Sequence, residues 1–352
     1  MIQELQKLQT AGGATFEESA SGVPVPASFG NDAAALNAVR EGVALCDRTH
    51  WGRIQVGDAD RLRFLHNQST NDFNSLKPGQ GCDTVFVTST ARTIDLATAY
   101  LTEDAVLLLV SPHRRSKLMQ WLDRYIFFAD KVKLTDVTEK TAAFSLMGPN
   151  SDALLDQLGA GALAGQPYGT HQIVPLGDAQ VRVAVGSGLA VAGYTLIVEA
   201  GNAAAVWETL TAAGAVPLGE QCWEQLRVEQ GRPTPDRELT EDYNPLEARL
   251  LQTLSFTKGC YIGQETIARL ETYKGVKQQL WGVRLSARVE PGTVVTLDEE
   301  KVGTLTSYTE TAQGPFGLVY IRTKAGGAGL KVRVGDIEGE VVDVPFLKGE
   351  ES

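Results

Sequence analysis

The run Lys258-Gly259-Cys260-Tyr261-Ile262-Gly263-Gln264-Glu265 sets one cysteine between two glycines, with a lysine before it and an amide and a carboxylate after it. Glycine lacks side-chain bulk and tolerates backbone angles other residues resist, so a ligand can approach the main chain closely. A lysine charge near a thiol favours the thiolate, which is how proteins make cysteine reactive. The competing reading is a glycine-bounded turn around a buried, inert cysteine. A second candidate is Glu229. Residues 220–230 read as a helix ending at Gly231, and Cys222, Leu226 and Glu229, spaced by four and three, share one face. A carboxylate beside that apolar stripe must reach water, pair with a base such as Arg227 or Arg232, or meet a ligand's donors.

These residues need a scaffold, and the pattern along the chain predicts an α+β fold. Residues 1–31, rich in Gly, Ser, Ala and Pro from position 11, read as a loose lead-in, and the globular pattern starts near Asp32. Asp58 is expected to cap a short helix carrying Leu62, Phe64 and Leu65. Residues 105–110 read as a buried strand. Ser111-Pro112 then opens a helix that aligns Leu118, Leu122, Tyr125 and Ile126. Strands are expected over 180–185 and 194–198, with Gly186-Ser187-Gly188 as a turn between them. Residues 203–213 read as a helix with Gly214 as its stop. Strands and helices without strict alternation favour α+β over a doubly wound sheet.

The texture changes near Lys277. Short strand candidates fall at 280–285, 294–297, 302–307, 316–321, 331–334 and 337–344, separated by turns such as Glu290-Pro291-Gly292. That spacing predicts a small antiparallel barrel or sandwich. The expected organisation is therefore a lead-in over 1–31, an α+β region over 32–276 with an internal split near 142, and a β domain over 277–352.

Bulk properties exclude several functions. The chain has 352 residues, enough for two or three domains with substantial cores. Its formal charge of −11 disfavours direct nucleic-acid binding. Cys46, Cys82, Cys222 and Cys260 show no Cys-x-x-Cys spacing, which fits a reducing compartment and offers no ligand set for a metal or cluster. No apolar run reaches membrane-spanning length. Residues 1–10 carry Glu4 and Lys7 and lack the apolar centre of a signal peptide, so a cytoplasmic location is expected.

The cysteine run resembles the signature of the YgfZ-type folate-binding proteins, relatives of the glycine-cleavage T-protein that serve iron–sulfur enzymes. The resemblance extends along most of the chain. Arg227-Val228-Glu229-Gln230-Gly231 is similar to the Arg-x-Glu-x-Gly element of the T-protein superfamily, and Asn244-Pro245-Leu246-Glu247-Ala248 to the segment that follows it. Residues 42–47, 57–60 and 64–72 match the N-terminal folate-binding pattern, and Leu146-Met147-Gly148-Pro149 resembles the start of its second half. Residues 269–277 and 303–321 resemble the end of the YgfZ pattern. The resemblance implies a T-protein-like fold whose two halves surround a central channel, followed by the small barrel. It implies tetrahydrofolate as cofactor, with Glu229 as the pteridine anchor: the ring presents an amino group and an N–H in a row, matching two carboxylate oxygens. Arg227 comes with the same element. Trp51 falls where the T-protein sets a methionine against the folate and offers a ring for stacking, or else a core tryptophan. Lys258 is implied either to activate Cys260 or to attract the folate's glutamate tail.

Departures bear on the reaction. T-proteins carry two adjacent aspartates after a Gly-Gly turn; here the stretch is Ala91-Arg92-Thr93-Ile94-Asp95-Leu96. Asp95 survives and Leu96 replaces its neighbour. A leucine accepts no proton, which weakens aminomethyl transfer. T-proteins also have no cysteine at the Cys260 position. Three readings follow. The first is a folate-binding accessory protein for assembly or repair of clusters in [4Fe–4S] enzymes, with the assembly machinery or client proteins as partners and an effect on transfer RNA modification through such enzymes. The second is a tetrahydrofolate-dependent aminomethyl- or methyltransferase using Asp95. The third is an interaction module that kept the fold and lost the ligand.

Overall fold

The computed structural model describes residues 2–347; residues 1 and 348–352 of the expected segments lie outside them. The chain divides into two compact units, one of residues 1–64, 73–83 and 97–223, the other of residues 65–72, 84–96 and 224–352. Each unit is thus assembled from segments distant in sequence, and the linear division at residues 32, 142 and 277 does not coincide with them.

The first unit holds a six-stranded sheet in the order His171–Leu176, Ala179–Val185, Gly193–Glu199, Thr141–Met147, Ala44–Asp47 and Val216–Leu218. All neighbours are antiparallel except the last pair. The two central strands, Thr-Ala-Ala-Phe-Ser-Leu-Met and Gly-Tyr-Thr-Leu-Ile-Val-Glu, are buried along nearly their whole length, which is why they lack a clean alternation. Phe144, Leu146, Leu196 and Val198 form a core with Val206, Trp207 and Leu210 of the helix Ala203–Ala212. The Trp207 ring lies 5.8 Å from that of Phe29 and 5.5 Å from that of Phe144.

The expected loose lead-in is instead ordered structure. Ile2–Ala11 is a helix, and Thr15–Glu18 pairs antiparallel with Pro24–Ser28. Leu5, Val25, Ala27 and Phe29 are buried, and Leu5 and Phe29 join the core around Trp207. A few well-placed apolar residues outweigh the turn-rich composition around them, because burial rather than propensity decides.

Two helix starts also differ from expectation. Asp58 sits in the left-handed region at φ 72° and closes a turn; the helix Arg61–Gln68 opens instead from Asp60, whose carbonyl accepts the Phe64 N–H. After Ser111-Pro112 the chain makes one separate turn, with Arg114 N–H donating to Ser111 O, and the helix runs Arg115–Asp123. Leu118 and Leu122 are buried on it, while Tyr125 and Ile126 lie past its end.

A five-stranded sheet runs Gly81–Val87, Thr93–Leu101, Ala105–Val110, Gly52–Gly57 and Lys133–Asp136. Residues 84–96 belong to the second unit. In that unit a closed six-stranded barrel follows, in the order Gln278–Leu285, Gly314–Arg322, Glu300–Thr311, Val294–Leu297, Lys331–Val334 and Ile337–Val342. All six expected strands are present, and closure removes every free edge. Val283, Val295, Leu305, Val319, Ile321, Val334 and Val341 fill the barrel.

Candidate functional site

The cysteine loop is built on Lys258. Its side chain is buried, and its ammonium donates to three backbone carbonyls, those of His66 at 2.5 Å, Ser69 at 2.7 Å and Asn71 at 2.6 Å. The Tyr261 ring centroid lies 4.6 Å from Nζ. Three carbonyl dipoles converging on one cation satisfy all its donors, so Lys258 pins the segment 258–261 to the turn after the helix Arg61–Gln68. Two further bonds fasten the loop, Ile262 N–H to Asn67 O and Ser255 N–H to Thr70 O. Gly263 adopts φ 81° and starts the helix Gln264–Thr272. A Cβ there would stand 2.9 Å from Thr88 O and 3.0 Å from Val87 Cγ2, so only glycine lets the loop seat on the hairpin of residues 84–96. With Tyr261 buried against Ala91, Leu246, Leu254 and Ile267, Cys260 is left exposed at the loop's outer turn.

His66 stands beside this loop. Its Nδ1 is 3.0 Å from Asp72 Oδ1, and a Cβ on Gly259 would be 3.8 Å from its Nε2. Burial and then the Lys258 charge push its pKa below the ordinary histidine value, with Asp72 opposing.

Glu229 and Arg227 have different fates on the helix Glu220–Gln230. Arg227 is buried and fully engaged: it donates to both Glu224 oxygens at 2.6 and 2.7 Å, to Glu238 Oε2 at 3.2 Å, to Ser307 Oγ at 2.8 Å and to Arg232 O at 2.9 Å. Burial works against its charge, but Glu224 and Glu238 outweigh burial and raise its pKa. Ser307 belongs to the barrel strand Glu300–Thr311, so Arg227 and the fully buried Glu238 tie the helix end to the barrel. Glu229 is half-buried. Its Oε1 accepts from Gln225 Nε2 at 2.7 Å, and Oε2 has no partner among the described residues. The next residue, Gln230, holds a buried Oε1 that no donor among the described residues reaches. A carboxylate oriented by one hydrogen bond suits a ligand that presents adjacent N–H donors.

Asp95 lies in the strand Thr93–Leu101, every residue of which is buried, and is itself 0% exposed. Its neighbour Leu96 points to the opposite face and packs with Val85, Val87, Leu239, Ala248 and Leu250. The leucine at the second position is thus a core residue. Asn244-Pro245-Leu246-Glu247 forms a capped turn: Asn244 Oδ1 accepts from the N–H groups of Leu246 and Glu247, and Glu247 Oε2 accepts from Asn244 N–H. Trp51 belongs to the first unit. It is buried, meets Trp223 edge-on at 6.1 Å, and has the Arg48 guanidinium 3.7 Å above one ring face. Asp95, Arg227, Glu229, Lys258 and Cys260 all belong to the second unit.

Comparison with known proteins identifies the family. Residues 5–258 match the GCVT N-terminal domain. The chain belongs to that family. A chloroplastic protein of Arabidopsis thaliana, provisionally named a transferase, is 49% identical over 97% of this chain and 79% of its own length. An aminomethyltransferase of Geobacillus kaustophilus is 30% identical over 93% of each chain. The crystal structure of glycine cleavage system aminomethyltransferase T from Bartonella henselae superposes with a TM-score of 0.82 over 97% of both chains at 19% identity, which establishes the shared fold.

Several residues of this GCVT-domain protein escaped the sequence reading. Gln225 orients Glu229 from four positions earlier, a helical spacing that was legible. Glu238 and Ser307, which complete the Arg227 network, gave no such signal, because their partner lies 11 and 80 residues away. Among the described residues no helix is long and apolar enough to cross a membrane.

Proposed function

We propose that this chain is a YgfZ-type member of its family, a tetrahydrofolate-binding accessory protein that supports assembly or repair of clusters in [4Fe–4S] enzymes. The observation that carries the reading is the cysteine loop. Lys258 and Gly263 fix it on both sides of Cys260, and the thiol faces solvent rather than the core. A core cysteine needs no such scaffold, whereas a thiol offered to a client protein or to a passing metal does. Glu229 is the folate anchor, steadied by Gln225. Arg227 and Lys258 act as structural supports for the elements that bear these groups. Bound tetrahydrofolate supplies one-carbon or redox chemistry; the residues here hold and orient it. The partners are client enzymes or the assembly machinery, and any effect on transfer RNA modification passes through such enzymes.

The test is the activity of a [4Fe–4S] dehydratase in lysates of a deletion strain grown oxidatively and complemented at equal expression. Wild type restores activity, and Cys260→Ala and Glu229→Gln do not. Unchanged dehydratase activity on deletion overturns the proposal.

A folate-dependent aminomethyl or methyl transfer is the second reading, favoured by the 30% identity to an aminomethyltransferase across 93% of each chain. Against it stand the complete burial of Asp95 and the core position of Leu96. Tetrahydrofolate-dependent product formation that is abolished by Asp95→Asn and retained in Cys260→Ala would favour transfer.

A further inference from the structure

The first unit contains a cavity of about 340 Å³ that none of the folate-related residues line. Gln9 of the N-terminal helix, Asp47, His50, Arg115 and Glu139 supply its polar wall, and Val23 stands at its rim. Its volume is that of a small-molecule site.

Two buried side chains on this wall have unused atoms. Gln9 is 1% exposed and donates from Nε2 to Asp47 Oδ2 at 2.8 Å. A carboxylate only accepts, so this bond fixes which end of the amide is nitrogen. Gln9 Oε1 is then a buried acceptor with no donor among the described residues. The His50 side chain is 1% exposed, its Nε2 faces Glu220 Oε1 at 3.7 Å, and its Nδ1 has no protein partner. Gln9 Oε1 is therefore an acceptor, and a buried acceptor is costly unless a donor reaches it.

Charge selects the donor. Asp47 and Glu139 line the cavity with the imidazoles of His50 and His113, while the lining guanidinium of Arg115 is drawn to Asp136 with Nε 3.2 Å from Oδ2. Carboxylate or phosphate ligands meet like charge and lack donors. An ammonium offers three N–H donors and no acceptor. Val23, Pro24, Val25 and Pro112 provide apolar wall for a short carbon chain. We propose that this cavity binds the ammonium head of a small primary amine, with Gln9 Oε1 as its acceptor.

The experiment is a saturation-transfer NMR titration of the full-length protein with n-butylammonium, and with butyrate and tetramethylammonium as probes lacking N–H donors. Saturable binding is expected for n-butylammonium alone. Gln9→Leu weakens it about tenfold, the loss of one hydrogen bond to a charged group. Val23→Trp, at an exposed rim position, obstructs entry without touching the buried polar groups and also weakens it. If Gln9→Leu proves unfolded by circular dichroism, Val23→Trp decides. The proposal fails if n-butylammonium shows no saturable binding, the outcome for a site filled by water only. It also fails if tetramethylammonium or butyrate binds equally well, or if affinity is unchanged in the folded variants. None of these results bears on folate binding or on Cys260.

Discussion

The ammonium of Lys258 lies 2.6 Å from the backbone carbonyl of Asn71, a residue 187 positions earlier in the chain. With the carbonyls of His66 and Ser69 it completes a three-point clamp, so the lysine that precedes the exposed cysteine is a buried fastener of its loop. Lys258→Met retains the stem but leaves three carbonyls without their donor. It lowers unfolding free energy by about 3 kcal/mol. Urea denaturation of the variant checks this, and a midpoint equal to wild type would exclude the clamp as a stabilising element.

The two glycines flanking Cys260 make opposite predictions. Gly263→Ala forces a Cβ into the left-handed region and against Thr88 O and Val87 Cγ2, and costs about 2–3 kcal/mol. Gly259→Ala places its Cβ no nearer than 3.8 Å to His66 Nε2 and changes stability by less than about 1 kcal/mol. Paired thermal unfolding of the two variants reads the difference directly.

Glu229→Gln removes a charge from a half-buried site with one internal hydrogen bond. Tetrahydrofolate affinity falls about 10- to 100-fold, the loss of charge-assisted bonds to ring donors, while the unfolding midpoint stays near wild type. Fluorescence titration under anaerobic conditions measures the first quantity and calorimetry the second. A midpoint that drops with unchanged affinity would make Glu229 structural.

Acid stability should carry the signature of His171. Burial, and next the charge of Arg182, whose Nη1 is 2.8 Å from His171 Nδ1, hold its pKa at about 4. In the unfolded chain the value is about 6.5. Because the fold disfavours the protonated ring, this contribution is fully present above pH ~6.5 and is lost as pH falls toward 4, by about 3 kcal/mol in all. His171→Gln cannot gain that proton, so its stability falls less steeply between pH 7 and pH 5. Urea midpoints at the two pH values provide the check.

The sequence by itself determined the barrel strands and the helix Glu220–Gln230 with its glycine stop, since both rest on local periodicity and turn chemistry. It also marked the cysteine loop as unusual, because a lone cysteine between glycines is a local pattern. Tertiary structure alone decided what Lys258 and Arg227 do. Each is a cation whose partners come from elsewhere in the chain, and a charged residue reads the same in sequence whether it meets a ligand or a set of carbonyls. The same holds for Leu5 and Phe29, ordered by packing against Trp207's core in a segment whose composition signals a loop. Local pattern fixes where the chain turns and which face is apolar, while the long-range contacts that satisfy a buried charge exist only once the segments have met.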